Sequence, residues 1–349
     1  MAAVSIEKPI PERATISRPP TVWERGWDKT FRGLTYSFAW LTVVLVLLIV
    51  SKVGYEAAPA IKQFGVGFFT GSTWDPVQEK YGIAPQIWGT LYSSVLAIFF
   101  GGILGLAVAV FLSEQFLSAF VFRILKLFGV QFHPFWGKLP ERTEGLLKNL
   151  VELLAAIPSV VYGLWGIFVI IPLIRPWCNT IHADLKWLPC FSTPLSGPGM
   201  LPAAIVLAIM ILPTVSAISR DALTSVPPKL REAAYGLGAT RWEAVLGVII
   251  PTATTGIIGS ILLAFGRALG ETMALAMLVG NANVISWSLF SPGNTLAALL
   301  ANNFGEADKP ITVAVLMYAA LVLMGITLLV NIVGALVLQR AASGSKGGR

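Results

Sequence analysis

Six runs of mostly apolar residues, each about 20 residues long or longer, dominate this chain of 349 residues. A helix needs about 20 residues to cross the hydrocarbon core of a bilayer, so each run predicts a membrane-spanning helix. Composition agrees, because 55% of the residues are hydrophobic and only 12% are charged, against about 25% charged residues in soluble domains. We therefore expect an all-α polytopic membrane protein. The runs lie at about 34–52, 87–112, 150–174, 201–219, 248–280 and 311–338.

Composition also excludes several classes of site. Two cysteines and two histidines are too few for a zinc or iron–sulfur ligand set, so no metal site is expected. The chain has no phosphate-binding loop of the G-x-x-x-x-G-K-[ST] type, and we predict neither a cofactor nor a catalytic residue. The net charge of +7 is better explained by membrane orientation than by nucleic-acid binding.

The placement of basic residues predicts the orientation in the membrane. With both termini in the cytoplasm, the inner segments hold 18 Lys and Arg residues and the outer segments hold 6. This excess agrees with the positive-inside rule. The predicted organisation is a cytoplasmic tail (1–32), a first helix with an external loop (33–86), a transmembrane domain (87–338) and a second cytoplasmic tail (339–349).

Two connecting segments leave alternatives open. Residues 115–148 mix aromatic and basic side chains, which suits either an interfacial amphipathic element or an ordinary solvated connection. The external loop 175–200 contains Cys178 and Cys190. In an oxidising compartment this pair either forms a disulfide or stays free, because sequence separation does not establish the geometry.

A cytoplasmic segment between the fourth and fifth apolar runs predicts a short helix–turn–helix within 220–247. The alanine-rich residues 230–235 favour a helix, Gly236 and Gly238 favour a turn, and Thr240 is placed to cap a second helix. A cytoplasmic loop with an ordinary amphipathic helix is the alternative interpretation. The fuller pattern E-A-A-x3-G-x9-I-x-L-P resembles the coupling segment of ABC importer permeases, with Val248 and Ile250 at its apolar positions. Its matching residues are Glu232, Ala233, Ala234, Gly238 and Pro251.

One charged pair lies deep in the fifth apolar run. Arg267 and Glu271 are four residues apart, which would place them on one face of a continuous helix. A charge at the bilayer centre costs about 3 kcal/mol, so the pair must face protein or water. Either the two charges neutralise each other while Gly266 and Gly270 admit a neighbouring helix, or they line a solute pathway where the guanidinium binds an oxyanion.

Further short sequence segments resemble those of the PstC-type permeases of phosphate ABC importers. The resemblance extends from about residue 68 to residue 338. The most discriminating strings are Ile157-Pro-Ser-Val-Val-Tyr-Gly163 and Gly266-Arg-Ala-Leu-Gly-Glu-Thr-Met-Ala274. Pro158 interrupts the helical hydrogen bonds of the third run. Ser159 and Tyr162 then either face a polar pathway or accompany a simple packing kink.

The resemblance implies a type I ABC importer permease fold in a bacterial inner membrane. It further implies a heterodimer with a homologous second permease, two ATPase subunits, an external phosphate-binding protein and inorganic phosphate as the substrate. Glu232, Ala233, Ala234, Gly238 and Arg241 would dock on an ATPase, and ATP hydrolysis would belong to that partner.

Three rival functions are weighed against this one. The first is an importer for another oxyanion, such as molybdate or sulfate, because arginine suits all three anions. The second is a secondary transporter or channel working alone, which would need no coupling segment. The third is a membrane enzyme, which needs a cluster of acid, base or metal groups; a single Arg–Glu pair makes this the weakest.

Overall fold

The computed structural model describes residues 21–114 and 139–346. The chain divides into two compact units, residues 1–52 and residues 53–349. Most of segment 115–148 lies outside the described residues, so both interpretations of that segment stay predictions.

The described part of the chain is mainly helical, with irregular connections such as residues 279–295 and one short ribbon, in which β1 (Trp74–Asp75) pairs antiparallel with β2 (Lys80–Tyr81). Two π-helical turns, Gly166–Ile170 and Val245–Ile249, and two 3₁₀ turns, Pro189–Phe191 and Phe304–Glu306, interrupt or follow α-helices. The helices are α1 (Val22–Phe64), α2 (Gly67–Thr70), α3 (Ala84–Ser113), α4 (Leu139–Ala156), α5 (Ser159–Trp165), α6 (Ile171–Leu185), α7 (Met200–Thr224), α8 (Pro228–Gly236), α9 (Arg241–Ala244), α10 (Ile250–Leu269), α11 (Met273–Leu278), α12 (Leu296–Asn303) and α13 (Pro310–Lys346).

Six helical stretches of the described residues are long and apolar enough to cross a membrane, which confirms the predicted number. Four of them are single helices: α1, α3, α7 and residues 310–341 of α13. The other two combine elements, since a π-helical turn joins α5 to α6 and another joins α9 to α10. The all-α prediction is confirmed for the membrane-spanning part.

Four of the helices extend beyond both predicted ends, most of all α1, and the other two spans are shifted along the chain. The third runs over Ser159–Leu185 instead of 150–174, because Pro158 adopts an extended conformation (ψ 141°) and separates α4 from α5. The fifth ends at Leu269 instead of Gly280, and a separate short helix, α11, follows it. Hydropathy detected the apolar runs but not the backbone breaks inside them.

The helix α7 forms the centre of the larger unit. Within its most apolar 18-residue window 61% of the residues are buried, against 11% for the sixth span. Its closest neighbour is α3, where a side chain at Gly101 would lie 2.7 Å from the Ala208 carbonyl and one at Gly105 would lie 2.8 Å from Val215. Small residues at such contacts let membrane helices approach closely.

The two cysteines are free in the structure. Cys178 lies in α6 and is buried in a cluster with Leu195 and Phe290, whereas Cys190 is exposed in the 3₁₀ turn. The disulfide that the sequence left open is therefore not formed, because one thiol packs into an apolar cluster while the other faces outward.

Candidate coupling surface and substrate pathway

The predicted coupling segment is a helix–turn–helix. The helix α8 ends in a Schellman motif: the Gly238 N–H donates to the Tyr235 carbonyl at 3.0 Å and the Ala239 N–H donates to the Ala234 carbonyl at 3.1 Å. Gly238 adopts φ +86°, which a glycine accepts without steric cost. The turn is therefore encoded by the glycine that the sequence pattern singled out.

The second helix of this segment begins at a capping box. The Glu243 N–H donates to the Thr240 hydroxyl oxygen at 3.4 Å, and the Thr240 N–H donates to the Glu243 carboxylate at 2.7 Å. This reciprocal pair satisfies two N–H groups that otherwise lack helical partners. The prediction that Thr240 caps a second helix is confirmed, although α9 is short and continues as a π-helical turn.

Arg231 fastens the segment to two membrane helices. Its Nη1 lies 2.6 Å from Oε1 of Glu114 at the end of α3, and its Nη2 donates to the Leu223 carbonyl of α7 at 2.7 Å. The Glu114 side chain is only 6% exposed, so the pair is largely shielded from water. Sequence reasoning gave neither residue a role; the one signal was the charge of Glu114 directly after the second apolar run.

The opposite side of the segment is exposed. Glu232, Ala233, Gly238 and Arg241 are all exposed, whereas Ala234 is buried against the protein. Apolar side chains accompany them, and they include Leu237 at 91%, Trp242 at 59% and Tyr235 at 41% exposure. We name the exposed residues Glu232, Ala233, Tyr235, Leu237, Gly238, Arg241 and Trp242 the coupling surface.

A second region surrounds Pro158. The break before α5 frees the Leu154 carbonyl, which accepts a hydrogen bond from the Tyr162 hydroxyl at 2.8 Å. Tyr162 is buried at 5% exposure, while Ser159 is half-buried at the first residue of α5. Tyr162 thus compensates for the helix break, and Ser159 is the more accessible of the two predicted pathway residues.

Arg267 and Glu271 do not share a helix face, contrary to the prediction. The helix α10 ends at Leu269, and the Gly270 N–H donates to the Arg267 carbonyl at 3.2 Å in the closing turn. Glu271 follows in the connection to α11. Within the described ranges no ion pair within 4 Å joins the two charges, and of the two glycines only Gly266 comes near another helix.

The structure brings the two discriminating strings together. A side chain at Gly163 of α5 would lie 2.6 Å from the Met277 sulfur and 3.4 Å from the Ala274 Cα of α11. Ala268 of α10 packs in the same buried cluster as Tyr162 and Ala274, and Arg267 beside it is exposed. Distant parts of the sequence therefore form one region at the end of α10, which carries the Arg267 guanidinium.

An amide that sequence reasoning missed borders this region. Asn331 of α13 places its Oδ1 3.5 Å from where a side chain at Gly266 would begin. A polar residue inside an apolar helix is costly unless it faces protein or water, which is the signal that identifies it. Among the residues that the structure describes, no group of three or more His, Cys, Asp or Glu could hold a metal ion.

Residues 135–342 match the family of binding-protein-dependent transport system inner membrane components. Three similar relatives are phosphate transport system permease proteins PstC. The protein of Haemophilus influenzae is 38% identical over 90% of this chain and 93% of its own length. That of Mesorhizobium japonicum is 36% identical over 90% of each. That of Pasteurella multocida is 37% identical over 89% of this chain and 91% of its own.

Solved structures with the same fold are ABC importers. A bacterial alginate ABC transporter in complex with an alginate-bound periplasmic protein contains a chain that is 17% identical, with a TM-score of 0.54, covering 90% of this chain and 99% of that one. The MetNI methionine transporter in an inward-facing conformation contains a chain at 18% identity and a TM-score of 0.50, covering 74% and 95%. These similarities establish the type I importer permease fold.

Three findings agree with the multi-pass architecture: the family match, the sequence identity to the permeases over most of their length, and the fold shared with ABC importers. This chain belongs to the inner membrane components of binding-protein-dependent transport systems and, within them, to the PstC-type phosphate permeases.

Proposed function

We propose that this chain forms one half of the phosphate pathway of an ATP-driven importer. A homologous second permease would supply the other half, two ATPase subunits would bind on the cytoplasmic side, and an external binding protein would deliver phosphate. The substrate is inferred from the phosphate transport system permeases that are 36–38% identical over about 90% of this chain. Both termini lie in the cytoplasm in this proposal, in agreement with the 18-to-6 distribution of basic residues.

The observation that carries the coupling proposal is the connection made by Arg231. A force on the coupling surface reaches the ends of α3 and α7 through Glu114 and the Leu223 carbonyl. ATP-driven approach of the two ATPases would displace α8 and α9, tilt the attached membrane helices and open the translocation pathway to the outside. ATP hydrolysis would return the transporter to the inward-open state.

The polar region beside the end of α10 is proposed as a transient phosphate site. The Arg267 guanidinium offers a planar set of donors that fits phosphate oxygens. It is exposed and has no ion pair among the described residues, so its donors are available to a solute or to the second permease. We also assign Glu271, four residues after Arg267, and Ser159 to this pathway, where a carboxylate would weaken binding enough to permit release.

The coupling proposal is tested by replacing an exposed apolar residue of the coupling surface. Leu237→Asp is expected to abolish co-purification of the ATPase subunits and phosphate-stimulated ATP hydrolysis, because it places a charge in an apolar contact. Val77→Asp is the matched control, since Val77 is 86% exposed in the connection between β1 and β2. Normal ATPase recovery with Leu237→Asp would refute this docking surface.

The pathway proposal is tested by uptake measurements on Arg267→Gln and Arg267→Lys. We expect Gln to abolish phosphate uptake and Lys to retain a fraction, because a lysine keeps the charge but loses the planar donor set. Unchanged uptake in Arg267→Gln would remove this residue from the mechanism. Competition by molybdate or sulfate distinguishes the rival oxyanions, and uptake without any ATPase would favour a carrier working alone.

A further inference from the structure

An irregular segment, residues 279–295, follows α11 and is fastened to the beginning of α3. Three side chains of α3 form hydrogen bonds with it, and the ring of Trp287 packs against that of Trp88 with the centroids 4.4 Å apart. The bonds run from Gln86 Nε2 to Asn283 Oδ1 at 2.7 Å, from Trp88 Nε1 to the Ser286 carbonyl at 2.9 Å and from the Tyr92 hydroxyl to the Trp287 carbonyl at 2.8 Å. The backbone of the segment is therefore held in one place, although it forms neither helix nor strand.

The same segment exposes apolar side chains. Val284 is 52% exposed, Ile285 is 51% exposed and Trp287 is 61% exposed, and we name these three residues the external apolar surface. Residues 272–305 contain no charged side chain. Exposed apolar groups close together mark interaction sites, and a backbone that is already ordered loses little conformational entropy on binding. The external apolar surface therefore has the properties of a binding surface.

Lipid is a poor cover for this surface. The helix α3 has 30 residues and is therefore about 45 Å long, against about 30 Å for the hydrocarbon core. Its first turns, which hold the segment, lie at the external edge of that core in the proposed orientation. An irregular backbone does not face lipid hydrocarbon, because its N–H and C=O groups would lack partners there. Water and headgroups would leave the three apolar side chains in polar surroundings, so protein is the better cover.

The absence of charge distinguishes between two protein partners. Permanent subunit interfaces are more hydrophobic than transient ones, and charged residues are depleted from the interface core. An external binding protein must leave after it delivers its ligand, whereas a second permease stays in the complex. An uncharged apolar surface on a fixed backbone fits the permanent partner.

We infer that the homologous second permease packs against the external apolar surface. The inference rests on the proposed function, which supplies that partner. The contact joins the two permeases on the side of the membrane that the ATPases do not reach. Trp287 is its central residue, because its ring is already oriented by Trp88 and its carbonyl by Tyr92.

A photochemical cross-link from Ile285 tests which molecule covers the surface. Ile285→Cys is combined with Cys190→Ser, which removes the exposed native thiol, while Cys178 is buried. The thiol is labelled with benzophenone maleimide, and the assembled transporter is irradiated in lipid vesicles with and without the external binding protein. Val66→Cys is the matched control, because Val66 is a 78% exposed apolar residue in the connection between α1 and α2.

We expect the label at Ile285→Cys to cross-link to the second permease with or without the binding protein, and the label at Val66→Cys not to do so. Cross-links to the binding protein alone or to lipid alone would overturn the inference. A second measurement avoids the bulky label. Ile285→Asp should deplete the second permease from the purified complex, whereas Val66→Asp and Ile285→Leu should retain it. Full recovery of the second permease with Ile285→Asp would also overturn the inference.

Phosphate uptake by the unmodified transporter separates this inference from the proposed function. Cross-linking to the second permease without phosphate uptake would contradict the proposed substrate and support the interface. Phosphate uptake by a complex that contains both permeases but forms no cross-link from Ile285→Cys would overturn the interface alone.

Discussion

The two ends of the larger unit are held together in different ways. At one end, residues 189–201 and 278–293 are joined by backbone hydrogen bonds that link otherwise irregular segments. At the other end, side-chain bonds of Arg231 connect α8 to α3 and α7, and Val245 and Ile249 pack in an apolar cluster with α3 and Leu223. The backbone hydrogen bonds of the first end, written from the N–H donor to the carbonyl acceptor, are Gly199 to Leu278, Met200 to Ser291, Leu201 to Leu289, Leu289 to Cys190 and Gly293 to Val279.

This difference indicates where a conformational change can begin. The proposed orientation places the first end outside, and we therefore name it the outer end. Its many backbone hydrogen bonds and close packing make it a unit that opens only at high cost. The coupling end is held by a shielded ion pair and by an apolar cluster of side chains, so it can be displaced without breaking a network of backbone hydrogen bonds. An importer driven by ATPases needs its mobile end where the ATPases bind, which agrees with the proposed function.

The largest expected effect is at the Arg231–Glu114 pair. Arg231→Met leaves the shielded Glu114 carboxylate without a partner, which typically costs about 3–5 kcal/mol. We expect a lower melting temperature of the assembled transporter and loss of phosphate-stimulated ATP hydrolysis. Arg241→Met is the matched control for stability, because Arg241 is exposed and has no ion pair among the described residues. Equal melting of the two variants would show that this pair does not hold the coupling end.

The next effect tests the rigidity of the outer end. A methyl group at Gly89 would overlap the Asn294 carbonyl oxygen, so Gly89→Ala must displace backbone and should cost about 1–3 kcal/mol. Gly259→Ala is the control, because nothing lies within 4 Å of the added carbon in α10; it should be neutral or stabilising. Thermal melting of the two purified variants measures the difference. A tolerated Gly89→Ala would mean that the outer end yields more readily than its hydrogen bonds suggest.

A smaller effect is expected at the turn of the coupling segment. Gly238→Ala forces a non-glycine residue to adopt φ +86°, which costs about 1–2 kcal/mol. Gly236→Ala, at the end of α8 with open space around it, should cost little. We expect Gly238→Ala to lower the ratio of phosphate transported to ATP hydrolysed, measured in proteoliposomes. Identical ratios in the two variants would separate the turn geometry from coupling.

The smallest effect concerns the contact between α7 and α10. The hydroxyls of Ser219 and Ser260 are 2.7 Å apart and buried, and Ser260 also donates to the Ile257 carbonyl at 2.7 Å. Ser219→Ala therefore leaves no unsatisfied donor, and interhelical hydrogen bonds in membranes average about 0.6 kcal/mol. A double-mutant cycle with Ser260→Ala, followed by thermal unfolding, measures the pair. A coupling energy of several kcal/mol would show that the contact between α7 and α10 is as firm as the outer end.

Much of the coupling segment was predictable because its structure is local. The Schellman turn needs a glycine at Gly238, and the capping box needs Thr240 and Glu243 three residues apart. Such signals lie within a few residues of one another, so they can be found without the tertiary fold. The contact of Arg231 with Glu114 joins residues 117 positions apart, and no local pattern announces it.

The pathway region was predicted less well. The sequence indicated that Pro158 and Arg267 matter, but a spacing of four residues suggested one helix face for Arg267 and Glu271. Leu269 ends that helix instead, and α11 packs against α5. Hydropathy averaged over a long window does not detect such a break, because α10 before it and α11 after it are both apolar.

The sequence by itself determined the six spans, the family resemblance and the local form of the coupling segment, because these depend on run length and short spacings. The tertiary structure decided which charges pair, such as Arg231 with Glu114, and which side chains become buried between helices. Those features depend on contacts between residues far apart in the chain. Their free energy is set by burial and packing, which do not exist until the helices come together.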